Sequence, residues 1–168
     1  MSHTKRGEAV AKTNAMRELD RANIPYELHA YDVEDEKSSQ LGVRVARATG
    51  IGPDTAFKTL VCHAASGGCA VFCVPVASEL DLKKAAHAAG EKSLSMVAVR
   101  DLRDVTGYVR GGCSPVGMKK AYPTFIDETA QLFERIAISG GRIGTQLVLD
   151  PEALARFCGA RFADITEG

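Results

Sequence analysis

Lys58 is the residue whose type and position most clearly suggest chemistry. It stands at the start of a long apolar run that reads as a buried strand. Lysine is rarely buried without a reason, and at a strand end its ammonium group can reach a cleft and hold a substrate oxygen or phosphate. The alternative is a lysine that extends from the strand end into solvent. The strand position alone leaves both interpretations open.

A glycine-rich loop covers residues 107–118, where Gly107, Gly111, Gly112 and Gly117 accompany Pro115. Glycine costs stability in ordinary elements because its backbone loses the most entropy on folding. The cluster therefore indicates unusual dihedrals, or backbone N–H groups offered to a carbonyl oxygen, a carboxylate or a phosphate. A long turn without a ligand is the alternative. The loop lacks the Gly-Lys-Ser/Thr ending of a phosphate-binding P-loop.

A second glycine turn follows Ser139, at the end of another apolar strand, and contains Gly140 and Gly141. The Ser139 hydroxyl could donate to a substrate, although serine and glycine also suit an ordinary hairpin. No Ser-His-Asp arrangement and no pair of carboxylates accompanies the first glycine loop. His29 can share one strand face with Tyr31, but we expect it to be a plain surface residue.

The cysteines favour a reducing compartment, because five cannot all pair and their spacing is not that of a disulfide framework. We therefore expect a cytoplasmic protein. Cys113 lies in the glycine loop, where N–H groups lower a thiol pKa, but no base can be placed beside it. Cys62, Cys69 and Cys73, with a neighbouring histidine, lack the paired spacing of a zinc site and suit a core better. We predict no metal.

The composition is that of one globular domain of 168 residues, with 45% hydrophobic and 25% charged residues. The formal net charge of +0 argues against a free-standing, high-affinity nucleic-acid binder, although local basic patches such as Lys119-Lys120 remain. No apolar run approaches the roughly 20 residues of a membrane helix, and the N-terminus has no signal-peptide pattern. We predict a flexible N-terminal leader over residues 1–12 and one domain over 13–168.

The pattern of strands and helices predicts an α+β domain with a mixed, mostly antiparallel and partly barrel-like sheet and surrounding helices. The clearest element is a hairpin of residues 57–64 and 69–76 around a Ser-Gly-Gly turn. Strands are predicted at 26–31, 95–98, 124–126, 136–139, 146–149 and 161–165. Helices are predicted after Thr13 or Asn14, after Ser38 or Ser39, at 81–89, at 101–105, at 128–133 and after Asp150-Pro151.

Together, these segments resemble the YbaK-type trans-editing aminoacyl-tRNA deacylases, whose domain also occurs as the editing insertion of bacterial prolyl-tRNA synthetases. The resemblance runs from about Thr13 over nearly the whole chain. The matching segments are Tyr31, Phe57-Lys58-Thr59-Leu60, Pro75-Val76, Leu80-Asp81-Leu82-Lys83-Lys84, Thr106-Gly107-Tyr108, Gly111-Gly112, Ser114-Pro115, Gly117, Lys119-Lys120, Ser139-Gly140-Gly141 and Phe162-Ala163-Asp164-Ile165.

The resemblance implies roles for individual residues. Lys58 would hold the aminoacyl ester or the terminal adenosine of the tRNA, and Gly111 with Gly112 would bring N–H groups to the substrate carbonyl. The implied substrate-binding residues are Tyr31, Thr59, Ser139, Gly140 and Gln146. Gln146 stands where better-known members tend to have aspartate, and Cys113 where an apolar residue is usual.

The implied activity is clearance of mischarged Cys-tRNA(Pro) without a cofactor, with prolyl-tRNA synthetase as a further partner. In cysteine-specific members the thiol of the bound cysteinyl group attacks its own ester, so the protein supplies orientation and polarisation. Two alternatives stay open at this point. One is a deacylase for another small aminoacyl group with water as nucleophile, and the other is a binding module without turnover.

Overall fold

The structure is a computed structural model that describes residues 11–30 and 49–168. Within these ranges the helices are α1 (Asn14–Arg21), α2 (Leu82–Ala89), α3 (Val99–Thr106) and α4 (Pro151–Cys158). The strands are β1 (Glu27–Ala30), β2 (Phe57–Ala64), β3 (Cys69–Pro75), β4 (Leu94–Met96), β5 (Thr124–Asp127), β6 (Ile136–Ser139), β7 (Thr145–Leu149) and β8 (Arg161–Ala163). Short 3₁₀ turns cover Pro53–Thr55 and Glu128–Leu132. The predicted helix after Ser38 or Ser39 and the predicted site residue Tyr31 lie outside the described residues.

The strands form two sheets. One has the order β1-β7-β6 and the other β4-β2-β3-β5-β8. The β1–β7, β7–β6, β2–β3 and β2–β4 pairs are antiparallel, whereas β3–β5 and β5–β8 are parallel. A single parallel bridge between Ala56 and Ala137 joins the start of β2 to β6. The predicted mixed, mostly antiparallel α+β domain is confirmed. In the part of the chain described, however, the sheets do not close into a barrel.

The two faces of the smaller sheet differ in what they cover. Ile136, Ile138, Leu147 and Leu149 are buried in the main apolar core, together with Phe57 of β2. The alternate residues Ala137 and Val148 pack instead with Ala56, half-buried Ile51 and Val76 in a separate small cluster. Since side chains alternate along a strand, Ser139 and Gln146 belong to this second face. Both faces are therefore buried, and Ser139 and Gln146 lie at strand ends on the second.

Side-chain caps fix the beginnings of α1, α2 and α4 as the sequence predicts, whereas α3 begins after Ala98 without a side-chain cap. The Thr13 hydroxyl accepts from the Met16 N–H at 3.2 Å, and the Asp81 carboxylate accepts from Lys83 and Lys84 N–H groups at 3.0 and 3.1 Å. Asp150 caps α4 in the same way, with proline at the first turn. Such caps satisfy N–H groups that have no partner within the helix.

Several predicted element boundaries shift. Helix α3 is longer than the predicted 101–105 because it begins at Val99 and ends at Thr106, where Gly107 takes a left-handed conformation with φ of 88°. Strand β4 begins one residue earlier than predicted, and β8 ends at Ala163 rather than at residue 165. No helix among the described residues is long and apolar enough to cross a membrane.

Asp127, at the end of β5, is a buried carboxylate that links three segments. It accepts hydrogen bonds from the Thr129 N–H at 3.2 Å, the Thr129 hydroxyl at 2.5 Å and the Ile165 N–H at 3.2 Å. The residue is only 1% exposed. We predict that Asp127→Ala lowers the free energy of unfolding by about 2–3 kcal/mol, because it leaves buried donors without an acceptor. Urea denaturation measures this change, and exposed Asp104→Ala should shift stability by no more than about 0.5 kcal/mol.

Candidate functional site

A row of polar side chains crosses the second face of the smaller sheet. In the antiparallel register, His29 of β1 lies opposite Gln146 of β7, and Gln146 lies opposite Ser139 of β6. Directly paired residues point to the same face, with Cβ atoms about 4.5–5.5 Å apart. Gln146 and Ser139 are 5% and 9% exposed. The register therefore brings two predicted site residues, and one that we did not predict, into one line.

Lys58 extends this row on the neighbouring strand. Ala56 and Ala137 form the parallel bridge between the sheets, and both adopt extended backbone. Lys58 and Ser139 each lie two residues beyond that bridge, in the same chain direction, so both point to the face on which Ala56 and Ala137 pack. His29, Gln146, Ser139 and Lys58 are called the polar row below.

The Lys58 ammonium group is partly buried and has a weak partner. The side chain is 26% exposed, and Nζ lies 3.8 Å from Oε1 of Glu79, whose own side chain is 77% exposed. This distance is too long for a hydrogen bond, and a pair with such an exposed partner is worth little in water. The Lys58 N–H donors are thus not committed to Glu79 and can bind an anionic or carbonyl oxygen.

Next to the row, the bridge alanines form a smooth apolar floor. Ala56 and Ala137 are 1% and 0% exposed, and Val148 continues their line on β7. Half-buried Ile51 and Val76 pack against these side chains. The second face therefore combines a charged end at Lys58 with a neutral, hydrogen-bonding middle at Ser139 and Gln146.

The two glycine turns are in direct contact with each other, next to Ser139. A Cβ on Gly112 would lie 3.0 Å from the Ile143 nitrogen and 3.2 Å from Arg142 backbone atoms. A Cβ on Gly111 would lie 3.6 Å from Cγ1 of Ile143. The loop of residues 107–118 thus packs its bare backbone on the turn after β6. The structure brings together the two turns that the sequence singles out.

The hydrogen bonds of these turns show which N–H groups are already used. The Gly112 N–H donates to the Val109 carbonyl at 2.9 Å, and the Gly140 N–H donates to the Thr145 carbonyl at 2.8 Å. Both glycines therefore serve the shape of their turns. Gly111, which is exposed with φ of 85°, is the glycine of the pair whose N–H a substrate carbonyl could use. The Gly141 N–H donates to the Ser139 Oγ at 3.2 Å, so the Ser139 hydroxyl hydrogen is left to donate elsewhere.

Tyr108 lies between the two turns and holds both of them. The side chain is 6% exposed, and its hydroxyl donates to the Val116 carbonyl at 2.7 Å. A Cβ on Gly117 would meet this hydroxyl at 2.8 Å, and a Cβ on Gly141 would meet the ring at 2.9 Å. Two glycines, one from each turn, thus make room for a single aromatic ring. Burial raises the pKa of Tyr108 to about 12, so the hydroxyl stays protonated and remains a donor.

The segment before α1 is tied to the second turn. The Thr13 hydroxyl donates to the Gly140 carbonyl at 2.5 Å, and Nη2 of Arg142 donates to the Ala11 carbonyl at 2.9 Å. Thr13 is therefore both the helix cap and an anchor of the turn beside the polar row.

Thr59, a predicted substrate-binding residue, does not join the polar row. It lies one residue after Lys58 and thus on the opposite face of β2, where its hydroxyl is 3.8 Å from the Cys73 sulfur. The side chain faces the core side of the sheet. Thr59 is therefore next to Lys58 in the sequence but not in the candidate site.

Burial raises the pKa of the cysteine thiols, of which Cys62, Cys73 and Cys113 are buried and Cys69 and Cys158 are half-buried. Burial raises the pKa of Cys113 to about 11, and that of Cys62 also to about 11. A thiol that stays protonated near neutral pH is a poor nucleophile, so the structure gives no support to a nucleophilic Cys113. Cys69 and His63 lie 3.7 Å apart at the hairpin end, whereas Cys62 faces Met96. In residues 11–30 and 49–168, no three metal-ligating side chains are grouped to hold an ion.

An open cavity of about 680 Å³ lies on the other side of the glycine loop. It is lined by Gly107, Pro115 and Lys119 of the loop region, by Glu18 of α1 and by Cys158 of α4. Lys58, Ser139 and Gln146 do not line it. The cavity also has lysines and neutral donors in its wall. We assign the candidate site to the polar row because the row brings together Lys58, Ser139 and Gln146, which the sequence analysis singles out.

His29 is the member of the polar row that the sequence analysis does not single out as a site residue. Its side chain is 22% exposed and lies opposite buried Gln146, not on an open surface. The alternation of residues 26–31 already placed His29 on the face of Tyr31. What was missing was the register of β1 on β7, which depends on chain segments more than a hundred residues apart.

Comparisons with known proteins point to one family. The Aminoacyl-tRNA editing domain family matches residues 39–157. An Enterococcus faecalis protein, named as a candidate Cys-tRNA(Pro)/Cys-tRNA(Cys) deacylase EbsC, is 43% identical over 156 residues, which cover 92% of this chain and 93% of the relative.

Solved structures share the fold. A candidate trans-editing enzyme for prolyl tRNA synthetase superposes with a TM-score of 0.78 at 25% identity, over 92% of this chain and 96% of the other. A hypothetical protein, APE2540, superposes with a TM-score of 0.79 at 21% identity, over 92% of this chain and 100% of the other. The second likeness shows the fold alone.

The contact between the glycine turns can be tested with a matched pair of variants. Gly112→Ala should lower the free energy of unfolding by about 1–3 kcal/mol, because its Cβ would press on the Arg142–Ile143 backbone. Gly52 also has ordinary φ, and a Cβ there would meet nothing within 4 Å. Gly52→Ala should therefore be neutral or slightly stabilising. Equal stability of the two variants, measured by urea denaturation, would contradict the packing of the turns.

Proposed function

Because the chain belongs to the aminoacyl-tRNA editing domain family, we propose that it is a trans-editing deacylase that removes cysteine from mischarged Cys-tRNA(Pro). The observation that carries this proposal is the 43% identity, over nearly the full length of both chains, to a relative named for that activity. The polar row supplies a chemical rationale. It offers a cation and neutral donors for an ester, and it offers no protein nucleophile beside them.

In the proposed complex, the aminoacyl ester lies over the alanine floor at the Lys58 end of the row. The Lys58 ammonium group binds the ester or the terminal adenosine by charge, and the Gly111 N–H donates to the ester carbonyl. The Ser139 hydroxyl donates to a substrate oxygen, since its own oxygen already accepts from Gly141. These donors stabilise the negative charge that forms on the carbonyl oxygen in the transition state.

The nucleophile in this proposal is the thiol of the bound cysteine. Its sulfur attacks the ester carbonyl carbon, the bond to the ribose oxygen breaks, and the products are free tRNA and a cyclic thiolactone. The thiol and the ester belong to the same cysteinyl group, so the step is intramolecular, and the protein contributes by holding the thiol in line with the carbonyl while the thiol proton passes to the ribose oxygen. The buried protein thiols, whose pKa values are raised by burial, agree with a reaction that uses the substrate's sulfur.

Prolyl-tRNA synthetase is the proposed partner, in the cytoplasm. The chain carries a formal net charge of +0, and a protein of this kind does not hold a long polyanion tightly by itself. Recognition of the aminoacyl-adenosine end by the row, with the rest of the tRNA held by the synthetase, is consistent with that charge.

Removal of the Lys58 charge should abolish deacylation while the fold survives. We predict that Lys58→Ala and Lys58→Met each lower kcat/KM for Cys-tRNA(Pro) by about 100-fold or more. Lys58→Met keeps the apolar stem, so a loss of activity in this variant would be due to the missing charge and not to lost packing. Lys83→Ala removes an exposed lysine of α2 and should keep the parental rate. Parental activity in purified Lys58→Met would show that the site is assigned wrongly.

The substrate thiol can be tested on the tRNA itself. We predict that replacing cysteine by serine or alanine on tRNA(Pro) slows release by about 100-fold or more, because the attacking sulfur is lost. The measurement is loss of the radiolabelled ester, with the uncatalysed rate subtracted. Equal rates for Cys-tRNA(Pro) and Ala-tRNA(Pro) would instead favour water as nucleophile and a broader specificity.

A further inference from the structure

The cavity beside the glycine loop has a wall that differs in charge from the chain as a whole. The segment 105–126, which forms much of this wall, carries three basic residues, Arg110, Lys119 and Lys120, and no acidic residue. All three are exposed, in a chain whose formal net charge is +0. The basic charge is thus local, and a local basic patch favours the binding of phosphate groups.

The two lysines of the cavity wall are not committed to a carboxylate. Among the described residues, no carboxylate lies within salt-bridge distance of Lys119 or Lys120. Nζ of Lys119 lies 3.5 Å from the carbonyl oxygen of Asp104, which is a long and weak contact. Glu18, the acidic residue of the wall, is paired with Arg21 at 3.0 Å. Both ammonium groups can therefore bind phosphate oxygens.

Tyr122 adds an aromatic surface to the same wall. The residue is half-buried and lines the cavity, and its hydroxyl donates to the Val105 carbonyl at 2.7 Å, so the ring is held in place. Proteins bind single-stranded nucleic acid with this combination, because bases stack on aromatic rings while cations follow the phosphates. The cavity volume of about 680 Å³ also lies within the range of about 300–1,000 Å³ that is usual for ligand pockets.

The cavity is close to the position proposed for the ester. The Lys119 N–H donates to the Thr106 carbonyl at 3.1 Å, and a Cβ on Gly107 would lie 3.3 Å from Cγ of Lys119. Gly111, the proposed donor to the ester carbonyl, is four residues beyond Gly107, so their Cα atoms are at most about 14 Å apart. At about 3.4 Å of rise per nucleotide, a strand that ends at Gly111 reaches Lys119 within about four nucleotides.

We infer that the cavity binds the unpaired strand that precedes the terminal adenosine of the tRNA, with Lys119 and Lys120 on its phosphates and Tyr122 against a base. The inference rests on the proposed function and extends it, because it assigns a second contact to the same substrate. Two cations contact about two phosphates, which agrees with a chain of net charge +0 that does not hold a whole tRNA tightly by itself. The lysines position the strand and take no part in the chemical step.

The experiment measures how salt affects binding of an acceptor-stem minihelix of tRNA(Pro), by fluorescence anisotropy. Lys119→Gln/Lys120→Gln should bind about 10-fold more weakly than the parent at about 0.1 M salt, and the slope of log K against log salt concentration should be smaller by about 1.4. Lys83→Gln/Lys92→Gln is the matched control. It removes two exposed lysines that do not line the cavity and should keep the parental slope.

A second ligand and a second pair of variants locate the strand. On a blunt minihelix without the unpaired nucleotides, the parent and the Lys119→Gln/Lys120→Gln variant should bind equally. Tyr122→Leu should weaken binding of the tailed minihelix by about 5-fold or more, whereas Tyr122→Phe keeps the ring and should bind as the parent does. In deacylation of Cys-tRNA(Pro), the double lysine variant should raise KM about 10-fold and leave kcat near the parental value.

The outcomes separate this inference from the proposed function. Equal salt slopes in the parent and the Lys119→Gln/Lys120→Gln variant overturn the inference. The same change in the control variant, or a difference that persists on the blunt minihelix, overturns it as well. A parent that leaves Cys-tRNA(Pro) intact overturns the proposed function. Since binding needs no turnover, the salt slopes still decide in that case whether the cavity holds the strand.

Discussion

The contact between Ala56 and Ala137 determines where the chemistry of this protein lies. It is the bridge that joins the five-stranded and three-stranded sheets. Because both side chains are methyl groups and are fully buried, the two backbones can approach closely and in parallel. The same register that pairs these alanines carries Lys58 and Ser139 to one face. A bulkier residue at either position would separate the cation from the donors before it disturbed the main core.

The second constraint is the packing of backbone on backbone at the end of the row. Gly112 leaves no room for a side chain beside Arg142 and Ile143, and Tyr108 occupies the space that Gly117 and Gly141 leave open. Most of the glycines in these two turns allow the turns to fit together, and fewer of them offer N–H groups to a ligand. A rigid pair of turns is what a donor such as Gly111 needs, since a donor stabilises a transition state only if it is already in place.

Local signals in the sequence predicted most of the fold. Caps such as Thr13 and Asp150, the Ser-Gly-Gly hairpin and the alternating strands determine structure over short distances, and the structure confirms them. The family resemblance is also confirmed. The face on which each residue lies depends on registers between distant segments. Thr59 follows Lys58 in the sequence but lies on the opposite face of β2, and the register of β1 on β7 sets His29 opposite Gln146. The role of Tyr31 stays a prediction.

The neutrality of residue 146 fits the rest of the row. With glutamine there, Lys58 is the one formal charge in the line formed by Lys58, Ser139 and Gln146, so a bound ester meets no carboxylate on β7 that would compete for the ammonium group. An aspartate at this position would attract the Lys58 ammonium group across β6, or would accept a proton itself. Glutamine removes both possibilities.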